Sequence, residues 1–230
     1  FPLRERQGEA LLVWTTTPWT LTSNVAAAVH PELPYVLVEN RGHRFWLSQG
    51  AVDNAVRGEY KVLERKPGAE LEGWTYDGPF DELPAQQEAG APAAHRVILW
   101  EDVGEAEGTG IVHIAPGAGA EDYRLGQEYR LPAIAPLSED GIFKAGFDWL
   151  TGTSVHETAR PIFQNLEEKG LLYRIEDYTH RYPVCWRCQQ ELVFRLVDEW
   201  FIRMGDQLDK PFEEVTEEEK ENNLRYQIME

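Results

Sequence analysis

The sequence is poor in cysteine, in positive charge and in long apolar runs, and each shortage removes a class of protein. Its two cysteines sit together as Cys185-Trp186-Arg187-Cys188 and cannot build the bridge framework of a small secreted domain. No apolar run is long enough to span a bilayer. The opening Phe1-Pro2-Leu3-Arg4-Glu5-Arg6 lacks the apolar stretch of a secretory signal. Together these predict a cytoplasmic protein with no membrane partner. Lysine and arginine number 22 against 40 acidic residues, a net charge of −18. Proteins that grip nucleic acid by displacing counterions carry a basic face, so this balance argues against autonomous tight binding. It leaves room for a pocket that receives a terminal nucleotide while another domain holds the rest. Much of the excess acid is in Glu213-Glu214 and Glu217-Glu218-Glu219, which read as a solvated helix face.

What is present suffices for a core: 42% of the 230 residues are hydrophobic and 11% aromatic. The length fits one large domain or a domain with an appendage. The chain does not start with Met, and it stops inside a helix expected from Thr216 onward, with no cap or stop signal. It is therefore expected to be a piece of a longer chain.

Ala10 to Thr16 reads as a buried strand ended by Pro18, and Asn24 to Val29 as a second apolar run. Tyr35–Val38 and Arg44–Leu47 predict a hairpin turning at Asn40-Arg41-Gly42. Ser48 is expected to cap a short helix reaching Val56, with Gly58 ending it. Residues 67–92 are rich in Gly, Pro and acid and predict loops and short strands around Leu71 to Phe80, then a mobile surface stretch near Ala89 to Ala94. Val97–Trp100, Gly110–Ile114 and Ala133–Pro136 have strand character, and a helix is expected over Ala120–Tyr129. Ser154 heads a predicted helix to Lys169, bent at Pro161 and stopped by Gly170. Residues 171–182 and 191–204 read as strand-like arms joined at the cysteine turn. The fold class expected is α+β, a barrel-like and mostly antiparallel β core with peripheral helices. The division expected is a core over 1–177 and an appendage over 178–230, comprising the arms, the cysteine turn and the acidic helical tail.

Three constellations carry chemistry. In Trp14-Thr15-Thr16-Thr17-Pro18-Trp19-Thr20-Leu21, consecutive threonines at a strand end offer hydroxyls and free amides to an oxygen-rich ligand. The plain alternative is that Thr is a good strand former. In Gly108-Thr109-Gly110-Ile111-Val112-His113-Ile114-Ala115-Pro116-Gly117-Ala118-Gly119-Ala120-Glu121-Asp122, a strand ends in His113 and a glycine-rich loop admits a ligand to the backbone. Asp122 falls in the first turn of the next helix. There the dipole favours a carboxylate by roughly 0.3–1 kcal/mol, which suits Asp122 to holding an ammonium. The alternatives are a core histidine and a helix-start residue. Third, Cys185 and Cys188 have the spacing of two corners of a tetrahedral zinc site. No second such pair exists here, and adding nearby His180 still leaves a ligand missing.

The Thr-Thr-Thr-Pro-Trp-Thr-Leu peptide followed by Asn24, with Gly-Thr-Gly-Ile-Val-His, Ala-Pro and an Asp after the loop, resembles the editing insertion of isoleucyl-tRNA synthetases. The likeness continues through Tyr182-Pro183-Val184-Cys185-Trp186-Arg187-Cys188 to Glu199-Trp200-Phe201 and covers most of the chain. Valyl and leucyl relatives usually carry Thr-Arg-Pro where this chain has Thr16-Thr17-Pro18. The resemblance implies a hydrolase domain inserted in a Rossmann-type synthetic domain, whose His-Ile-Gly-His and Lys-Met-Ser-Lys-Ser motifs are absent here.

It further implies removal of valine from the 3′ end of tRNA(Ile), with the valyl adenylate as a second substrate. Asp122 would hold the α-ammonium, and Thr15, Thr16 and Thr17 the ester and ribose. His113 would line the side-chain pocket and exclude isoleucine. Trp19, Thr20, Asn24 and Gly108 would shape the adenosine and substrate site. A positioned water is expected, assisted by the ribose hydroxyl, rather than a covalent intermediate. Editing itself needs no cofactor, and any zinc would be completed by residues outside the fragment. The loop Gly117-Ala118-Gly119-Ala120 is smaller than the bulkier family version, which changes one pocket wall. The alternatives are the editing domain of a valyl or leucyl relative, a zinc-dependent hydrolase, and a non-catalytic tRNA-docking module.

Overall fold

The computed structural model describes residues 1–179, 181–200, 202–205, 208, 211–221 and 223–228. His180, Phe201 and the last two residues of the expected tail helix lie outside them.

Strand formers and turn residues set the first sheet. β1 (Glu9–Leu11), β2 (Ala26–Val29), β3 (Pro34–Asn40) and β4 (His43–Ser48) come first in the chain. The β3–β4 hairpin closes through Arg41 at φ 51° and Gly42 at φ 81°. Two successive positive φ values match the right-handed twist of the flanking strands. After α1 (Val52–Ala55), β5 (Lys61–Pro67) completes a sheet ordered β1-β4-β3-β5, with β1 parallel to β4 and the other pairs antiparallel. α1 starts later than expected. Ser48 Oγ accepts the Ala51 N–H at 3.3 Å and so holds a turn ahead of the helix.

The second sheet is built around β2. α2 (Pro84–Glu88) and α3 (Ala91–Ala94) precede β6 (Arg96–Leu99) and β7 (Ile111–Ile114). The order is β6-β2-β7, with β2 parallel to β6 and antiparallel to β7. Alternation along each strand then builds two-sided burial. Ala27, Val29, Tyr35, Leu37, Trp46, Val97 and Ile111 share one cluster, made by both sheets. Ala26, Ala28, Ile98 and Ile114 face the opposite way, into a larger cluster with Leu125, Phe143 and Ile162.

The barrel is the main correction. Isolated bridges Pro2–Ala10, Leu3–Tyr76 and Thr75–Arg96 link the sheets along one side. Among the described residues the edge strands β5 and β7 do not pair with each other, so the result is two open mixed sheets with helices.

α4 (Ala120–Tyr129) falls where expected, whereas residues 133–136 join no ladder. The helix expected over 154–169 is split into a 3-10 turn at Val155–Glu157 and α5 (Ala159–Glu168). Pro161 lies in the first turn of α5, where N–H groups have no intrahelical partner, so its missing donor bends nothing. The arms carry no strand among the described residues; a Val184–Glu191 bridge and a Leu192 N–H to Pro183 carbonyl bond at 2.9 Å close the turn between them. Chain contacts divide the molecule into Phe1–Leu196 and Val197–Glu230. In the second unit, α6 (Glu217–Glu221) starts on a Thr216–Glu219 capping box, and α7 (Leu224–Gln227) starts on Asn223. No helix among the described residues is long and apolar enough to cross a membrane.

Candidate active site around the threonine turn

The threonine peptide leaves the ladder earlier than expected. β1 ends at Leu11, and the Thr17 N–H is taken by Thr15 Oγ1 at 3.0 Å. A short hydroxyl side chain here competes with the ladder for the backbone donor. Pro18 then opens a 3-10 turn, Pro18–Ser23, for which its fixed φ is suited. Thr16 stays exposed and Thr15 and Thr17 half-buried, with the Thr16 and Thr17 hydroxyls 3.4 Å apart.

This turn is bonded to β7. Thr20 Oγ1 donates to the Thr17 carbonyl at 2.8 Å and lies 2.9 Å from His113 Nε2. His113 is 8% exposed, and its Nδ1 has no hydrogen-bond partner. Burial lowers its pKa to about 4, so the ring is neutral near pH 7.

Two residues on, the Ala115 N–H donates to Asp122 Oδ2 at 2.9 Å. The loop between them is packed by backbone approach. A Cβ on Gly117 would sit 1.8 Å from the Ile134 carbonyl oxygen, and one on Gly119 would sit 3.0 Å from the Asp122 carboxyl carbon. Gly117 is therefore required by the packing of the loop on Ile134. Burial raises the Asp122 pKa to about 6, with the Glu121 charge adding and the Ala115 N–H opposing. The helix-start position alone had suggested a readily ionised carboxylate; desolvation outweighs it.

A groove of about 690 Å³ runs beside the turn, lined among others by Trp14, Thr15, Thr16, Gly108, Tyr173 and Tyr178. Gly108 has φ +70°, and a Cβ there would meet the Trp14 ring at 2.7 Å. Tyr178 packs edge-on to Trp14 with centroids 5.1 Å apart, and Tyr173 donates to Asn40 Oδ1 at 3.0 Å. Thr17, His113 and Asp122 do not line this groove, so of the expected catalytic residues it takes in Thr15 and Thr16 only, beside Gly108.

Two residues expected to shape the adenosine site are held inside the fold. Asn24 is fully buried: its Nδ2 donates to Ala26 O, and its Oδ1 accepts from Tyr76. Trp19 is buried in the larger core cluster. Gln86 Nε2 donates to the carbonyls of Thr22 and Asn24, fixing the far end of the turn. Neither Gln86 nor Tyr76 carries a local sequence signal for this task. Each is more than fifty positions from its partner.

Comparison with known proteins bears on this arrangement. Isoleucine–tRNA ligases of Pyrococcus abyssi and Methanothermobacter thermautotrophicus are 42% and 39% identical to the chain over 224 and 206 residues. The matches cover 93% and 89% of this chain but 21% and 19% of those ligases, so it spans about a fifth of their length. The crystal structure of GlLeuRS-CP1 overlays with a TM-score of 0.54 at 15% identity, covering 75% of this chain and 87% of that one. The P. knowlesi cytosolic leucyl-tRNA synthetase editing domain overlays with a TM-score of 0.52 at 12% identity, covering 69% and 81%. The chain belongs to the isoleucine–tRNA ligase family. No protein-family profile matches it. The overlays speak for the fold: mixed sheets with helices, as in the leucyl editing domains.

The chain also carries the cysteine turn. Cys185 is half-buried and Cys188 exposed. The Gln189 N–H donates to the Cys185 carbonyl at 2.8 Å, and Gln189 takes φ 61°. The backbone N–H groups of Cys188 and Arg187 point at the Cys185 sulfur, and with the Cys188 side chain they hold its thiol below the ordinary value. Backbone donors aimed at sulfur suit a thiolate, the form that binds metal. Among the described residues no group of three or more His, Cys, Asp or Glu assembles around a common point.

Proposed function

We propose that this domain hydrolyses the ester that joins valine to the terminal adenosine of tRNA(Ile), acting in the cytoplasm within a full-length isoleucyl-tRNA synthetase. One observation carries the reading. Two hydrogen-bonded runs, from Thr15 through Thr17 and Thr20 to His113 and from Ala115 to Asp122, lie two residues apart along the chain and hold three threonines, a neutral histidine and a carboxylate in place. Such an editing function answers a physical limit. One methylene in an apolar pocket discriminates by only about 1–3 kcal/mol, and isoleucine against valine is the standing example of that limit.

In this reading Asp122, as the carboxylate, holds the α-ammonium, and the threonine hydroxyls and amides hold the ester and ribose. Water attacks the ester carbonyl carbon. The bond to the ribose oxygen breaks, and that oxygen leaves with a proton, giving free valine and a free tRNA hydroxyl. Fixed hydrogen bonds stabilise the charge that develops on the carbonyl oxygen. His113 bounds the side-chain pocket. The acidic balance leaves the grip on tRNA to the rest of the parent. Cys185 and Cys188 would supply two ligands of a structural zinc, to be completed by residues of the parent enzyme. The test is to incubate the full-length parent with preformed Val-tRNA(Ile) and no ATP. Release of free valine is expected, and tRNA that stays charged would refute the reading.

A further inference from the structure

Thr20 has one hydroxyl hydrogen and two neighbours that could take it. Its Oγ1 lies 2.8 Å from the Thr17 carbonyl oxygen and 2.9 Å from His113 Nε2. A carbonyl oxygen only accepts, and 2.8 Å is the separation of two oxygens with a proton between them. Once that proton is placed, Oγ1 faces His113 as an acceptor, and Nε2 must carry the ring proton. The reverse assignment sets two oxygen lone pairs against each other. It also makes Nδ1 an N–H donor, and Nδ1 is buried with no partner. A buried donor left unpaired is rarer than an under-used acceptor and costs the full desolvation of the group.

We propose that Thr20 is a positioning residue that fixes His113 as the neutral Nε2–H tautomer, leaving the buried Nδ1 as the ring's unpaired acceptor. The relay runs one way, from the His113 N–H to Thr20 Oγ1 and from the Thr20 hydroxyl to the Thr17 carbonyl. His113 therefore cannot take up a proton at Nε2. Any further partner of the ring is a hydrogen-bond donor arriving at Nδ1. Thr20, read from the sequence as a substrate contact, spends its hydroxyl within the protein. The inference rests on these intramolecular bonds and not on the proposed reaction.

Two-bond proton–nitrogen spectra of the isotope-labelled chain test it, since they report which ring nitrogen is protonated in each of its six histidines. Near neutral pH, His113 is expected to carry its proton on Nε2. Thr20→Val removes the acceptor and is expected to shift the His113 Nε2–H resonance and raise the Nδ1–H population, while Thr20→Ser restores both. A wild-type His113 protonated on Nδ1 would overturn the proposal, and so would His113 ring resonances unchanged in Thr20→Val. If Thr20→Val does not fold, the wild-type and Thr20→Ser spectra still decide. No substrate enters the measurement, so its outcome and that of the deacylation assay are read separately.

Discussion

Asp122 accepts the backbone N–H of Ala115 at 2.9 Å, which fastens the start of α4 to the strand that presents His113. The carboxylate thus has a structural bond and a charge, and substitutions separate them. Asp122→Asn keeps an oxygen for Ala115 and loses the charge. Its melting temperature is expected to stay near that of the wild type. Hydrolysis of Val-tRNA(Ile) by the parent enzyme is expected to fall more than tenfold, because losing one partner of a buried charge pair costs ~2–5 kcal/mol. Normal hydrolysis by Asp122→Asn would remove the ammonium assignment.

The pH dependence has a definite sign. The folded-state pKa of Asp122 is raised from 3.8 to about 6, so between these values the folded chain keeps a proton that the unfolded chain has released. This group's contribution to stability therefore falls as pH rises through that window, the reverse of a salt-bridged aspartate. His113 works the other way: its pKa is lowered from 6.5 to about 4, and its contribution is lost as pH drops through that range. Since ammonium binding needs the Asp122 carboxylate, hydrolysis is expected to rise with pH through a break near 6. The check is an NMR titration of the Asp122 carboxyl carbon beside the pH–rate profile. A carboxyl titrating at the ordinary value of 3.8 would contradict the burial argument.

The glycine loop makes a paired prediction. Gly117→Ala sets a Cβ 1.8 Å from a backbone oxygen, so the backbone must move. Overpacking of this kind costs ~1–3 kcal/mol or more, and a lower melting temperature is expected. In Gly119→Ala the nearest group is the Asp122 carboxyl at 3.0 Å. There the expected loss is in hydrolysis, with a smaller change in melting. Equal melting losses would show that the loop carries no information about Asp122.

Zinc is expected to bind this chain weakly. Cys185 and Cys188 supply two of the four ligands a structural site needs, and the described residues add no third. Metal analysis of the purified chain after dialysis is expected to show less than one zinc per molecule, and the full-length parent is expected to retain it. Tight stoichiometric zinc in the chain alone would overturn the half-site assignment.

Much of the architecture was legible because its signals are local. Alternation and a two-residue turn mark the β3–β4 hairpin, and a glycine loop followed by acid marks the start of α4. The misreadings came from competition that periodicity does not register. The strand expected over residues 10–16 ends at Leu11, with Thr15 taking the Thr17 N–H farther on, and Pro161 is harmless because it falls in a first helical turn. For the candidate site, residue types in the motifs pointed to Thr15–Thr17, His113 and Asp122, but their couplings were hidden. Thr20 and His113 are 93 positions apart, and the acidity of Asp122 depends on burial that only the folded loop provides. The anchoring of Asn24 by Tyr76 and Gln86 was likewise beyond local reach.

The central claim is a hydrolytic second sieve, and discrimination must come from the wall facing the side chain, since valine and isoleucine offer identical ammonium and ester groups. The direct measurement is the pair of deacylation rates for Val-tRNA(Ile) and Ile-tRNA(Ile), in the full-length parent and in its His113→Ala variant. The account predicts fast valine release and little isoleucine release by the wild type, and a variant that also hydrolyses Ile-tRNA(Ile). Wild-type enzyme that releases neither amino acid, or a variant whose isoleucine-to-valine rate ratio is unchanged, would contradict it.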